Sequence, residues 1–438
     1  MKAPEFQKIY HDISRTANAG AEAEDAAGEV LGYLEGKKIM IYPAGALGRL
    51  LERTLRHYGI RIEAFIDRAA AEIIAVGDVP VREPSSLTSI TRDFIVLIAV
   101  NNQTLYDTLD GIVREQDPGS AIIDGFLINR LLRYPLCQNQ LNNKIPFNLV
   151  QCENCGYEGK GCTIFHTYLR RVAPGTRQND AWRSTKFDWF GCIVSQRCSM
   201  KCKYCCESIP YIPNPGFVPA ATILSDIRKV AQSCYFLKFV EFIGGEPFLH
   251  PEIEKILTGA LEIDNIGYIK SFTNGTILPS DSLCDLLGNS RIMLHVSNYE
   301  KCLKGRMLER FLSTKKKLDD CGIHYVYIPQ NEWKNFSSYD LFTTSVHSIE
   351  ERFSACPIAQ CHRLYYGTLY RCPHQYAGIM MGKLEKRPFE CIDVHTMGQK
   401  ELADAIEKFE ELPFTDACRH CPMPFDARVI LPGEQILK

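Results

Sequence analysis

The sequence predicts an α/β protein in three parts: an N-terminal parallel sheet covered by helices, a central partial (β/α)6 barrel, and a small cysteine-rich C-terminal domain. Three observations carry this. Apolar runs of strand length alternate with helix-length amphipathic segments over residues 37–125, and again over 188–345. The strand runs are continuously apolar, the pattern of strands buried on both faces of a parallel sheet. Beyond residue 345 the strands give way to closely spaced cysteines.

Residues 1–36 are expected to be a helical lead-in. "KKIMIYPAGALGRLLERTLRHYGIRIEAFIDR" then reads as strand, glycine turn, helix, and a strand ending at Asp67; "DFIVLIAV" (93–100) and "SAIID" (120–124) add buried strands. The turn "PAGALG" lies where a dinucleotide fingerprint would, with Asp67 about 20 residues beyond, although Pro43 stands at the first glycine position. A phosphate at the helix start near Gly45 and Gly48 is one reading; glycines serving only tight strand–helix packing is the other. Turn and strands together resemble the small Rossmann-like domain that precedes sugar acyltransferases and other sugar-nucleotide enzymes. Residues 126–187 read as a less regular, cysteine-containing connector.

The barrel is expected from 188 to 345. "DWFGCIVSQRC" is its first strand, running into a cysteine loop, and "ATILSDIRKVAQSC" is a helix with apolar residues at 223, 227, 230 and 234. "LKFVEFIGGEP", "YIKSFTNGT", "RIMLHVSNY" and "HYVYIP" supply further strands. In such a barrel the loops at the carboxyl ends of the strands carry the chemistry.

A net charge of -2 over 438 residues gives no support for binding nucleic acid or an anionic membrane. The start, "MKAPEFQKIYHDIS", has no apolar core of a signal peptide, and no apolar run approaches the roughly 20 residues needed to span a bilayer. The chain is expected to be cytoplasmic. Nineteen cysteines in a reducing compartment call for ligation rather than disulfides, and the odd number leaves one unpaired in any case. Cys234, Cys284, Cys302 and Cys321, isolated among apolar neighbours, are expected to be small buried hydrophobes.

The densest group is "CIVSQRCSMKCKYCC" (192–206), in which Cys198, Cys202 and Cys205 stand as C-x3-C-x2-C directly after a strand. Three thiolates from one loop can hold three irons of a [4Fe–4S] cluster and leave the fourth iron open. Zinc is the competing reading, but structural zinc takes four ligands from a closed set. Cys192 and Cys206 fall outside the pattern and are expected to pack. The spacing resembles the signature of the radical S-adenosylmethionine (radical SAM) superfamily. That resemblance implies that the open iron binds S-adenosylmethionine, with Tyr204 beside the adenine. It further implies that "GGEP" (Gly244, Gly245, Glu246, Pro247) holds the methionine amino group, that Ser297 lies near the ribose or carboxylate, and that Asn274 in "TNGT" lines the pocket. The implied chemistry is reductive cleavage of S-adenosylmethionine to a 5′-deoxyadenosyl radical. An external electron donor such as flavodoxin or ferredoxin would feed it.

Further on, Cys361, Gly367 and Cys372 give C-x5-G-x4-C, and Cys418 with Cys421 gives C-x2-C. These pairs resemble the twitch domain, the shorter relative of SPASM, which implies one auxiliary [4Fe–4S] cluster closed by four thiolates over residues 346–438. Cys356 is a rival for Cys361, and a zinc ribbon is the alternative. Cys137, Cys152, Cys155 and Cys162 in the connector are candidates for a third site, holding a cluster, zinc or nothing. His250 is expected to cap the following helix. No catalytic residue is assigned, and His295 and Glu300 lie near the expected pocket.

The substrate is expected to be a small molecule: a sugar, aminosugar or nucleotide-activated sugar undergoing dehydrogenation or epimerisation. Cys302 or Cys321 would be hydrogen donor in the latter case. The alternatives are a peptide-modifying maturase forming thioether or carbon–carbon crosslinks, and a non-enzymatic iron–sulfur carrier or scaffold.

Overall fold

The first βα series forms as expected in a computed structural model that describes residues 19–89, 94–155, 162–173, 182–335 and 337–436. Helix α1 (Ala19–Leu34) leads into β1 (Lys38–Tyr42), α2 (Ala46–His57) and β2 (Ala64–Ile66). A short hairpin, β3 (Ala75–Val76) and β4 (Val79–Arg82), precedes β5 (Phe94–Ile98), α3 (Gln103–Gln116) and β6 (Ala121–Asp124). The sheet order is β3-β4-β2-β1-β5-β6, parallel except for the β3–β4 pair. Ile39, Ile41, Phe65 and Leu97 are buried on one face, and Met40, Ile66, Val96 and Ile98 on the other. Burial on both faces explains why these strands are apolar without alternation.

The glycine turn is self-contained. A Cβ at Gly48 would lie 2.1 Å from the Pro43 carbonyl oxygen, so glycine is needed for close helix–strand approach. The Asp67 carboxylate accepts the Ala44 N–H at 3.0 Å and the Ala69 N–H at 2.9 Å. The acidic position that a ribose would occupy in a dinucleotide site thus braces the turn.

The stretch expected as a connector, 126–187, is divided between two compact units, Met1–Tyr168 and Leu169–Lys438. Helix α4 (Gly125–Asn142) packs on α1 and α2 through buried Leu127, Ile128, Leu131 and Leu132. Pro135 and the polar run at its end hid this stripe. Helices α5 (Leu149–Asn154) and α6 (Thr163–Val172) follow.

The second unit is built on β7 (Trp189–Ser195), α7 (Ala220–Ser233), β8 (Leu237–Gly244), α8 (Ile253–Leu261), β9 (Ile266–Thr273), α9 (Asp281–Leu287), β10 (Ile292–Asn298), α10 (Gly305–Asp320) and β11 (Tyr325–Pro329). Beyond these come β12 (Trp333–Asn335), α11 (Val346–Ser354), β13 (Arg363–Tyr365), β14 (Thr368–Tyr370), α12 (Pro373–Met380), β15 (Cys391–Asp393), α13 (Gln399–Glu410) and β16 (Arg428–Ile430). One sheet runs β11-β10-β9-β8-β7-β13-β14-β15. Strands β7 to β11 are parallel in chain order, and β13 joins the free side of β7, also parallel. The sixth parallel strand therefore comes from the C-terminal region, at the edge opposite β11. That region is continuous with the barrel sheet. Helix α7 buries Ile223, Ile227 and Val230 and α8 buries Ile256, Leu257 and Ala260, each helix closing the layer over the strands. Phe190, Phe242 and Phe311 are fully buried, each contributing about 1.5–3 kcal/mol over an exposed position.

Candidate functional site

The carboxyl ends of β7 to β10 converge on a cavity of about 390 Å³. Its lining includes Cys198, Cys202 and Cys205 from the loop after β7, Gly244, Gly245 and Pro247 after β8, Asn274 after β9, and Ser297 in β10. Tyr204 lines it as well. Residues up to 136 positions apart in sequence meet here because parallel strands deliver all their loops to one end. The volume is within the range for a small-molecule site.

The loop is held close to β8 by two glycines. Gly244 has φ +121°, and a Cβ there would lie 2.5 Å from the Ser195 carbonyl oxygen; at Gly245 it would lie 2.2 Å from that of Arg197. Instead the Gly245 and Glu246 N–H groups donate to those carbonyls at 2.7 and 2.9 Å.

Glu246 departs from expectation: it is fully buried and does not line the cavity. Its carboxylate accepts from the Phe248 N–H (3.0 Å), the Thr273 hydroxyl (2.9 Å) and the Asn274 N–H (2.7 Å). It ties the loops after β8 and β9 together, and those donors leave it facing away from a ligand. Burial raises its pKa to about 7, against the donors' opposing effect.

The sulfurs are set up as acceptors. Cys198 Sγ receives the Met200 N–H and Asn274 Nδ2, and Cys202 Sγ receives Gln435 Nε2, each at 3.4 Å. Burial pushes the Cys198 thiol up to about 12 and Cys202 up to about 11. A hydrogen bond with Cys206, then burial, holds Cys205 well above the ordinary thiol range. Thiolates at these positions need a positive partner, and N–H donors to sulfur are what surrounds iron–sulfur clusters. Among the described residues no three His, Cys, Asp or Glu side chains converge closely enough to hold a single metal ion. The three sulfurs edge a cavity instead, as suits a polynuclear group. The residues fit a [4Fe–4S] cluster with one open iron.

Several contributors were not legible in sequence. Lys201 and Lys203 pair with the segment 434–436: Lys203 N–H donates to Glu434 O at 2.7 Å, and Ile436 N–H to Lys201 O at 2.8 Å. On the other side, buried Glu207 and Arg363 pair at 2.7 Å and tie the loop to β13. Tyr299, Gln330, Glu332, Trp333 and Lys334 complete the lining. Of these only Trp333 carried any signal, as one of three tryptophans. His250 caps the following turn, its Nδ1 accepting the Glu252 N–H at 3.0 Å. His295 is buried against Phe272 and is not part of this lining. Cys192 packs in β7, whereas Cys206, expected to pack, is exposed and lines the cavity. Cys234 and Cys284 are buried as expected, but Cys302 is only half-buried and Cys321 is exposed at the end of α10. Neither lines the cavity, which removes both as hydrogen donors there.

A second pocket is lined by Cys356, Cys372, Cys418 and Cys421 with Arg352 and Arg371. Of the two rivals, Cys356 lines this pocket and Cys361 does not. The β13–β14 register, if continued, would bring Cys361 opposite Cys372. Successive turns intervene, with Ala359 N–H bonded to Cys356 O and Cys361 N–H to Ile358 O, and they turn Cys356 into the pocket. Cys361 lies instead beside Arg363, which donates to its carbonyl at 3.2 Å. The expected third group also meets: Cys137, Cys152, Cys155 and Cys162 line one pocket in the N-terminal unit.

Residues 192–332 match the family model of the Radical SAM superfamily. Curated relatives include the GTP 3′,8-cyclase of Listeria welshimeri, 26% identical over 145 residues, 31% of this chain and 43% of that protein. The GTP 3′,8-cyclase of Clostridium acetobutylicum is 31% identical over 93 residues, 21% of this chain and 29% of that protein. The chain thus spans less than half the length of the curated relatives it matches. Among solved structures, Streptococcus suis SuiB is 19% identical with a TM-score of 0.26, covering 44% of this chain and 47% of that one. BtrN in complex with AdoMet and 2-DOIA is 13% identical with a TM-score of 0.35, covering 58% and 98%. No described helix is long and apolar enough to cross a membrane. The three-cysteine loop at the carboxyl end of β7 lies within the segment 192–332, which carries a Radical SAM superfamily domain.

Proposed function

We propose that this enzyme binds S-adenosylmethionine at the 390 Å³ cavity and uses it to abstract hydrogen from a small hydroxylated substrate of the sugar, aminosugar or nucleotide-sugar class. The observation that carries the reading is the lining itself: three thiols with Tyr204 and the Gly244–Gly245 backbone, and Gln330, Glu332, Trp333 and Lys334 in the same cavity. When bound, the cluster supplies the electron that cleaves S-adenosylmethionine to a 5′-deoxyadenosyl radical. Cys198, Cys202 and Cys205 hold three of its irons. Tyr204 offers a ring face for the adenine, and Ser297 and Asn274 offer polar groups to ribose or carboxylate. Glu246 keeps the loops in register without touching the ligand.

Glu332 and Lys334 offer hydrogen-bond partners of both kinds, and the Trp333 ring, fixed by its Nε1 donating to Gln330 Oε1 at 2.7 Å, offers an apolar plate. That mixture suits a polyhydroxylated ring. The relatives named as cyclases of GTP favour a nucleotide-bearing substrate. An auxiliary [4Fe–4S] cluster on Cys356, Cys372, Cys418 and Cys421 would accept an electron from the substrate radical, which makes dehydrogenation the favoured outcome. A flavodoxin or ferredoxin is the expected donor.

The test is anaerobic reconstitution with iron and sulfide, followed by dithionite reduction with S-adenosylmethionine. Nucleotide sugars, aminosugars and precursor peptides are then compared for stimulation of 5′-deoxyadenosine release. Stimulation by the sugars supports the reading. Stimulation by peptides alone would replace it with a maturase, and no cleavage at all would leave an electron carrier.

A further inference from the structure

We infer that Cys137, Cys152, Cys155 and Cys162 hold a [4Fe–4S] cluster of their own in the N-terminal unit, closed by four protein ligands and separate from both cysteine sites of the second unit.

Three helices bring the set together. On α4, Arg130, Tyr134 and Cys137 stand at positions i, i+4 and i+7, one face of the helix, with Arg133 beside them. Cys152 lies on α5, Cys155 caps its C-terminus, and Cys162 directly precedes α6. All four cysteines, with Arg130 and Arg133, line a single pocket closed by Tyr134, Phe147, Ile164 and Phe165. Cys162 Sγ accepts the Phe165 N–H at 3.4 Å, in the first turn of a ten-residue helix, where the free N–H groups favour a thiolate.

The charge of the pocket points to the polynuclear group; zinc, which would draw the four sulfurs to about 2.3 Å from one ion, is the competing occupant. An oxidised [4Fe–4S] core with four thiolates carries a net charge of about −2. Two arginines in an apolar pocket balance that charge. The pocket of Cys356, Cys372, Cys418 and Cys421 has the same composition, four thiols with Arg352 and Arg371. The S-adenosylmethionine cavity has the three thiols of the C-x3-C-x2-C loop with Cys206 beside them, and no arginine in its lining. With no iron left open, the third cluster takes one electron at a time from a reductant and binds no substrate.

The experiment uses the full chain. In the variant C198A/C202A/C205A/C356A/C372A/C418A/C421A, which lacks the cysteines of both other sites, reconstitution should leave about four irons and four sulfides per chain. The same sample reduced with dithionite should show a one-electron paramagnetic signal. Little or no iron would overturn the proposal, as would one equivalent of zinc in the chain as isolated. In the otherwise unaltered chain, C152S/C155S should lose about four irons while S-adenosylmethionine cleavage persists, and an unchanged iron content would overturn it.

Discussion

The loop at Cys198–Cys205 and the pocket at Cys356–Cys421 both gather thiols in one unit of the protein, yet they are built for opposite ends. The first has the three thiols of the C-x3-C-x2-C spacing, with Cys206 next to them, at the rim of a 390 Å³ cavity that also offers polar and aromatic groups. The second has four thiols, two arginines and a small apolar enclosure. The two differ in space and in charge: the first couples its thiols to a large cavity with no arginine in its lining, the second encloses its thiols in a small one with two arginines.

The hardest test of this contrast removes the open site. Replacing Cys198, Cys202 and Cys205 with Ala should reduce 5′-deoxyadenosine formation to background, read by chromatography after dithionite reduction. Survival of that activity would end the assignment. Next in size is the choice of the closing ligand. Cys356→Ala should cost the auxiliary site its cluster, about four irons per chain, while Cys361→Ala should keep them. The reverse result would restore the C-x5-G-x4-C reading.

Smaller effects probe how the open loop is held. Gly245→Ala puts a Cβ 2.2 Å from the Arg197 carbonyl oxygen, and relieving that clash should cost about 1–3 kcal/mol in urea denaturation and weaken S-adenosylmethionine binding. Glu246 gives a pH signature. Its pKa is raised to about 7 from an ordinary 4.5, so the folded chain binds this proton more tightly than the unfolded chain. The stabilisation is full below about pH 4.5 and is lost as pH rises through 7, amounting to about 3 kcal/mol at most. Glu246→Gln should remove that slope in the cluster-free protein; an unchanged slope would assign it elsewhere. Gln435→Ala should have the least effect. Losing one N–H donor to Cys202 Sγ should lower the midpoint potential of that cluster by roughly 20–65 mV, the one-electron equivalent of about 0.5–1.5 kcal/mol.

What sequence reveals here divides along physical lines. Strands β1, β5, β7, β8, β9 and β10 were readable because burial on both faces makes them continuously apolar. The cysteine loop was readable because a cluster dictates ligand spacing within one short segment. That Cys356 and not Cys361 faces the second pocket depends on two tight turns, which leave no periodic trace. Glu246 is buried among hydrogen-bond donors contributed by β9, and Glu207 meets Arg363 from 156 positions away; neither partnership can be seen from one strand. The helix α4 was missed for a third reason, since Pro135 and a polar end masked its apolar stripe.

The hydrogen bonds between 201–203 and 434–436 also set an order of events during synthesis. Cys202 and Gln435 are separated by 233 positions, so the loop leaves the ribosome long before its partner strand exists. At about 5–20 residues per second the interval is roughly 10–50 s. Throughout it, Cys202 stands without its amide donor and one edge of the loop stays unpaired. Iron delivered in that window meets an incomplete seat, and iron delivered afterwards must enter a loop already clasped on both sides, by Arg363 and by the late-arriving segment. The seat of Cys202 is therefore finished only when Arg363 and the segment 434–436 have been made.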